Sequence, residues 1–195
     1  MSIWAISSKL RLPAYVAGVL LLGAFPGSLY GQLSLDEALR VAFPPPATIE
    51  RRTAFLTSED LEAARTQTGP DVPVTQRVVT YYLAREKRRP VGVAYFDSHR
   101  VRTLKEVVMV VVVPPARIRN IEVLRFAEPP EYHASKPWLE QFKGQALSEE
   151  LSLKGSITNL SGATLTSTAI VRAARRVLAL HGRIRPFQAV GRTTP

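Results

Sequence analysis

The run Val107-Val108-Met109-Val110-Val111-Val112-Val113 is apolar at every position, and every residue but Met109 is β-branched. Such a strand has no polar face to turn toward water, so it belongs inside a sheet covered on both sides. The flanking sequence supplies its neighbours. Val78 to Ala84 is a β-rich run, and Glu86-Lys87-Arg88-Arg89-Pro90 reads as the hairpin turn after it. Val91 to Asp97 alternates as a second strand, Pro114-Pro115 closes the apolar third, and Ile118 to Phe126 suits a fourth. Four consecutive strands with short connections favour an antiparallel meander over a βαβ arrangement.

Helices are expected on either side of these strands. Ser34-Leu35-Asp36-Glu37 is a capping box, and the helix it opens shares Leu35, Ala38, Leu39 and Ala42 on one face before Pro44-Pro45-Pro46 ends it. A second helix is expected from Ser58 to Thr66, capped by Thr57 or Ser58 and stopped by Gly69-Pro70. Trp138, Leu139, Phe142 and Leu147 fit a short helix ending near Gly144. The last helix is expected over Thr166 to Leu180, with Ile170, Ala173, Ala174, Val177 and Leu178 as its buried stripe. Arg172, Arg175 and Arg176 lie off that stripe, and Gly182 stands where a left-handed C-terminal cap belongs. The class is α+β: an antiparallel meander-like sheet flanked by short helices, with an amphipathic C-terminal helix.

The 195 residues carry 26 Lys and Arg against 16 Asp and Glu, a formal charge of +10. That balance suits an anionic ligand, an acidic protein, a phospholipid surface or nucleic acid. The cations are scattered, and no zinc spacing, RNA-binding signature or aromatic stripe accompanies them, so no nucleic acid is expected. The absence of cysteine removes disulfides, thiolate metal ligands and haem attachment through Cys-x-x-Cys-His. His133 and His181 keep no metal spacing, and no metal is expected.

Lys9 and Arg11 precede the uncharged run from Leu12 to Phe25, which Pro26, Gly27, Ser28 and Gly31 then break. That length suits the core of a signal peptide, cleaved after Gly31, or an uncleaved membrane anchor. Either implies export, to the periplasm or the outer face of the cytoplasmic membrane, with the N-terminus as a means of membrane association. On this reading the chain divides into residues 1–31 (signal or anchor), 32–73 (a helical extension), 74–182 (the main domain) and 183–195 (a basic, disordered tail).

Ser161-Gly162-Ala163-Thr164-Leu165-Thr166-Ser167 lies at the start of the last helix. Ser161, Thr164, Thr166 and Ser167 can donate hydroxyls, and Gly162 gives the backbone unusual freedom. No acid in the first turn answers the positive end of the helix dipole, which leaves it for a bound anion such as a phosphate. The alternative is an ordinary Ser/Thr cap after a glycine turn.

The same letters resemble the signature of the FMN-binding domain family, found in the covalent-flavin subunits of sodium-pumping NADH:quinone reductase and Rnf-type complexes and in small exported relatives. Phe126-Ala127-Glu128-Pro129-Pro130 is similar to the family's strand ending in Glu-Thr-Pro-Gly, and the Trp138 to Gly144 spacing is similar to its following helix. Tyr95-Phe96-Asp97-Ser98-His99 and Arg102-Thr103-Leu104-Lys105-Glu106 resemble one exported branch. The resemblance covers roughly Val74 to Leu180. It implies FMN as cofactor, esterified through its phosphate to Thr164 by a dedicated magnesium-dependent flavin transferase. Ser161, Gly162, Ala163, Leu165, Thr166 and Ser167 complete the motif. Where the family usually has aspartate, three residues before the motif, this chain has Thr158.

Several single residues carry two readings each. His99 either hydrogen-bonds the flavin or is a turn histidine, and Thr103 with Leu104 either lines the ring pocket or edges a strand. Glu128 either fixes the loop under the flavin or simply ends a strand. Tyr81, Tyr82, Tyr95 and Phe96 are core or sheet-face residues, one of them open to stacking on the ring. The function implied is an exported FMN electron-transfer protein working between a membrane or periplasmic donor and an acceptor. With no acid/base pair or nicotinamide fingerprint visible, a carrier fits better than a stand-alone enzyme. The competing reading is a non-redox exported binding module with a degenerate flavin site, whose basic surface holds an acidic partner or anionic lipid.

Overall fold

Five antiparallel strands run in chain order as a single meander: β1 (Thr48–Phe55), β2 (Val78–Glu86), β3 (Arg89–Arg100), β4 (Lys105–Val113) and β5 (Arg117–Phe126). This is a computed structural model, and it describes residues 33–188. Residues 1–31, expected to be a signal or anchor, and the tail from residue 189 on lie outside the described residues. Among the described residues, no helix is long and apolar enough to cross a membrane.

The all-apolar strand is where the composition places it. Val108, Val110 and Val112 of β4 enter a core on one face of the sheet, and Met109 and Val111 enter a second core on the other. Two layers cover these faces. The first is α4 (Thr164–Ile184) with α2 (Ser58–Thr68), and the second is α1 (Leu35–Ala42). A short α3 (Lys136–Leu139) and a 3-10 turn at Glu140–Phe142 seal the end of the first core with Trp138, Leu139 and Phe142. The architecture is α+β, as expected.

Segment 32–73 differs from its reading as purely helical, because it contributes β1 to the sheet. Thr48 to Phe55 gives no clean apolar alternation, and Glu50-Arg51-Arg52 interrupts it. As an edge strand it relies on its backbone ladder, from Thr48 opposite Arg85 to Phe55 opposite Val78. Both helices of the segment begin with capping boxes, Ser34 with Glu37 and Thr57 with Asp60. Gly69, at φ +82°, ends α2.

The last helix is longer than expected at both ends. Gly182 lies inside it, and Arg185 takes the left-handed position at φ 50°. An interior glycine costs only about 1 kcal/mol, and the extra turn has partners. Arg183 bonds Asp60 Oδ1 at 2.9 and 3.0 Å, and the Phe187 ring packs on His181 with centroids 4.9 Å apart. Arg176, although off the apolar stripe, is buried.

Gly92 lets the end of α1 sit close to the sheet. A Cβ there would lie 2.7 Å from Cε1 of the buried Phe43 ring. We therefore expect Gly92→Ala to lower stability by about 1–3 kcal/mol through overpacking. Urea denaturation measures it, and adding Phe43→Leu should recover part of the loss.

Candidate functional site

α4 opens without a side-chain cap. Its N-cap is Ala163, which has no hydroxyl to offer, and no acid occupies its first turn. The backbone N–H groups of Thr164, Leu165 and Thr166 find no partner among the described residues, the first helical bond being Ser167 N–H to Ala163 O at 3.0 Å. Gly162, at φ +79°, turns the chain into this position. The open helix end faces a cavity of about 320 Å3 lined by Val101, Arg102, Tyr132 and Gly162 to Thr166.

The motif's hydroxyls have separate fates. Thr166 is buried and donates to Tyr132 O at 2.7 Å, which ties α4 to the 3-10 turn at Pro130–Tyr132. Ser167 is buried too; its Oγ donates to Ala163 O at 3.1 Å and accepts from Leu160 N–H at 3.0 Å. Thr164 is exposed, and its Oγ1 accepts from Asn159 Nδ2 at 3.0 Å.

The facing wall is the turn between β3 and β4. One oxygen of Glu128, Oε1, accepts the N–H groups of Arg102, Thr103 and Leu104 at 3.1, 2.8 and 2.8 Å. These bonds, from Leu104 and Thr103 above all, hold the Glu128 pKa below its usual value. The clamp places Arg102 over the Tyr132 ring, 5.2 Å from its centroid. Glu128 thus holds the turn between β3 and β4 through three backbone N–H groups.

Behind the turn lies a buried charge network. Arg176 on α4 meets Asp97 on β3 with two bonds of 2.7 Å. His99 bridges onward, Nδ1 to Asp97 Oδ1 at 2.9 Å and Nε2 to Glu106 Oε2 at 2.8 Å. With a carboxylate on each ring nitrogen, His99 must carry both protons. Burial opposes that charge, but the hydrogen bonds His99 donates to Asp97 and Glu106 outweigh it and raise the His99 pKa to about 9. Burial likewise opposes ionisation of Asp97, and its bonds to His99 and Arg176 still hold it at about 2. At the other end of α4, burial alone lowers His181 to about 4; its Nδ1 lies 3.0 Å from the Tyr95 hydroxyl.

The structure therefore brings Gly162, Ala163, Thr164, Leu165 and Thr166 together around one cavity. Ser161 is exposed on the loop before it, and Ser167 sits beneath the helix end. Thr103 and Leu104 belong to the clamped turn but do not line the cavity, and His99 is turned into the network. Tyr132 stands at the cavity, whereas Tyr81 and Tyr95 lie in the core. Sequence reasoning missed Asn159, Tyr132 and the Arg176–Asp97 pair. Only Tyr132 left a signal, as the aromatic residue just past Glu128-Pro129-Pro130. Clefts of about 480 and 340 Å3 elsewhere are as large or larger, but neither includes the open helix end.

Residues 105–179 match the family model of the FMN-binding domain. No curated protein and no solved structure gives a match. The chain carries an FMN-binding domain, running from β4 into α4, and FMN is the cofactor that domain indicates. The donor set fits the phosphate of FMN: unbonded helix N–H groups, the Thr164 hydroxyl and the Arg102 guanidinium share one cavity.

Two outcomes follow from the network. Asp97→Asn leaves the Arg176 charge buried and uncompensated, and should cost about 3–5 kcal/mol in urea denaturation. Stability should also peak near pH 6.5, the ordinary histidine value. His99 binds its proton more tightly in the folded state, so its contribution is full below 6.5 and is lost as pH rises through about 9. His181 does the opposite, contributing fully above 6.5 and losing that contribution as pH falls toward about 4. Urea midpoints collected from pH 4 to 9 check both limbs, and His181→Phe should flatten the acid one.

Proposed function

We propose that this protein is an exported electron carrier whose FMN is joined by a phosphoester to the Thr164 hydroxyl, and that it works between a membrane or periplasmic donor and an acceptor. Bound FMN supplies one- and two-electron transfer. The chain's own residues hold the cofactor. The N–H groups of Thr164, Leu165 and Thr166 and the Arg102 guanidinium offset the phosphate charge, and Glu128 keeps the Arg102 turn in place.

The observation that carries the attachment reading is the position of Thr164. It is the first residue of an uncapped helix, exposed at the cavity, and its hydroxyl bonds no backbone group. A carrier is favoured over a stand-alone enzyme because, among the described residues, no carboxylate or histidine lines the cavity to act as acid or base. Export rests on Lys9, Arg11 and the apolar run that follows them. A flavin transferase is the partner this reading requires for maturation.

The test is intact mass of the full chain co-expressed with a flavin transferase in a Gram-negative host. We expect a gain of FMN minus water, absent in Thr164→Ala. Flavin that washes out on denaturation would overturn the ester and leave a non-covalent flavoprotein. A colourless, unmodified protein would favour the basic binding module instead.

A further inference from the structure

Thr164 is one of four hydroxyl residues in its motif, and the only one of them whose side-chain oxygen receives a hydrogen bond from a side-chain amide. Asn159 Nδ2 donates to Thr164 Oγ1 at 3.0 Å, across the loop made by Leu160 to Ala163. Asn159 is itself held from both sides. Thr158 before it is gripped through its backbone, with its N–H on Gln141 Oε1 at 2.8 Å and its carbonyl on Trp138 Nε1 at 2.7 Å. Leu160 after it gives its N–H to the buried Ser167 Oγ at 3.0 Å. The amide thus stands on a fixed segment of an otherwise exposed loop.

The direction of this bond matters. An amide N–H occupies a lone pair of the hydroxyl oxygen and leaves the O–H hydrogen free to point away from the protein. Thr164 as a plain N-cap would behave differently, since its oxygen would turn inward to accept a backbone N–H of the first turn. Here the cap position belongs to Ala163, and the Thr164 rotamer is set by Asn159 instead. An ester oxygen also keeps a lone pair, so the same bond suits the hydroxyl before attachment and the phosphoester after it.

We infer that Asn159 is a positioning residue for flavin attachment, holding the Thr164 oxygen outward with its proton accessible. This rests on the attachment reading given above. In the step it serves, Thr164 Oγ1 attacks the flavin-side phosphorus of a flavin nucleotide activated as a pyrophosphate. A new O–P bond forms, the P–O bond to the bridging oxygen breaks, and the second nucleotide leaves as its monophosphate. The hydroxyl proton passes to a base of the transferase or to solvent, and nothing is oxidised or reduced. Asn159 takes no proton and touches no phosphorus; it lowers the freedom of the attacking oxygen.

The test follows FMN addition to the full chain by intact mass over time, with purified flavin transferase and flavin adenine dinucleotide as the activated donor. Asn159→Ala should slow addition about tenfold, the loss of roughly one hydrogen bond's worth of positioning. The reduction should fall on the turnover rate and not on the KM for the protein, and the melting midpoint should stay at the native value. In the unmodified protein, Thr164→Val should move the Asn159 side-chain amide resonances, because it removes their acceptor. A native gain of mass that Asn159→Ala leaves at full rate overturns the role of Asn159 and spares the attachment site. A native chain that gains no mass overturns the attachment reading and the Asn159 role together. Unmoved amide resonances in Thr164→Val overturn the hydrogen bond itself, whatever the rates.

Discussion

The contact between Arg176 and Asp97 sets how α4 lies on the sheet. A buried guanidinium cannot be left without a partner, and the planar fork of arginine admits only a narrow range of carboxylate positions. Two bonds of 2.7 Å fix both the rotation of α4 about its axis and its shift along β3. The apolar stripe of Ile170, Ala173, Ala174 and Val177 alone would tolerate sliding, because small aliphatic contacts are weakly directional. The charge pair adds the direction that the stripe lacks. Since Thr164 begins the same helix, its height above the sheet is set from Arg176, about three turns away.

The same network reaches the other wall of the cavity. From Asp97 it passes through His99 to Glu106, which lies directly opposite His99 in the β3–β4 register. The turn between these two strands is the one whose N–H groups converge on Glu128. Both walls thus rest on one set of ionic contacts, one through α4 and one through the β3–β4 hairpin. The arrangement has a cost, because Glu106 Oε1 is buried with no partner among the described residues. A site built this way holds its shape before any ligand arrives.

The meander was legible because Val107 to Val113 leaves only one kind of place for that strand, and its neighbours carry clear alternation. The capping box at Ser34 was legible because it is a local hydrogen-bond pattern with a fixed spacing, whereas the second helix offered Thr57 or Ser58 as a cap and its box with Asp60 emerged only in the structure. β1 was not, since an edge strand needs little side-chain pattern once its backbone has a partner. Arg176 was not either. Its helical position lies beside the apolar stripe, and nothing local reveals that Asp97, 79 residues away, will face it. His99 shows the same gap: its sequence position gives no sign of Glu106 on the far side of its ring. Motif letters found the helix end, while long-range ionic pairing decided what surrounds it.

The flavin motif reads as a row of interchangeable small polar residues, yet the structure gives each a different task. Gly162 supplies the positive φ that brings the loop onto the helix. Ala163 occupies the cap position without capping, so the first N–H groups stay open. Thr166 and Ser167 turn their hydroxyls inward and fasten the helix end to Tyr132 O and to the loop at Leu160. Those two bonds resist the fraying that an uncapped helix otherwise shows at its N-terminus. Only with its neighbours fastened can Thr164 remain exposed and still be fixed in place. A hydroxyl that is ordered, accessible and not engaged by backbone is an uncommon combination at a helix start, where Ser and Thr are ordinarily consumed as caps. The motif therefore does more than offer oxygen atoms: it separates the residues that hold the helix from the one hydroxyl left exposed at the cavity.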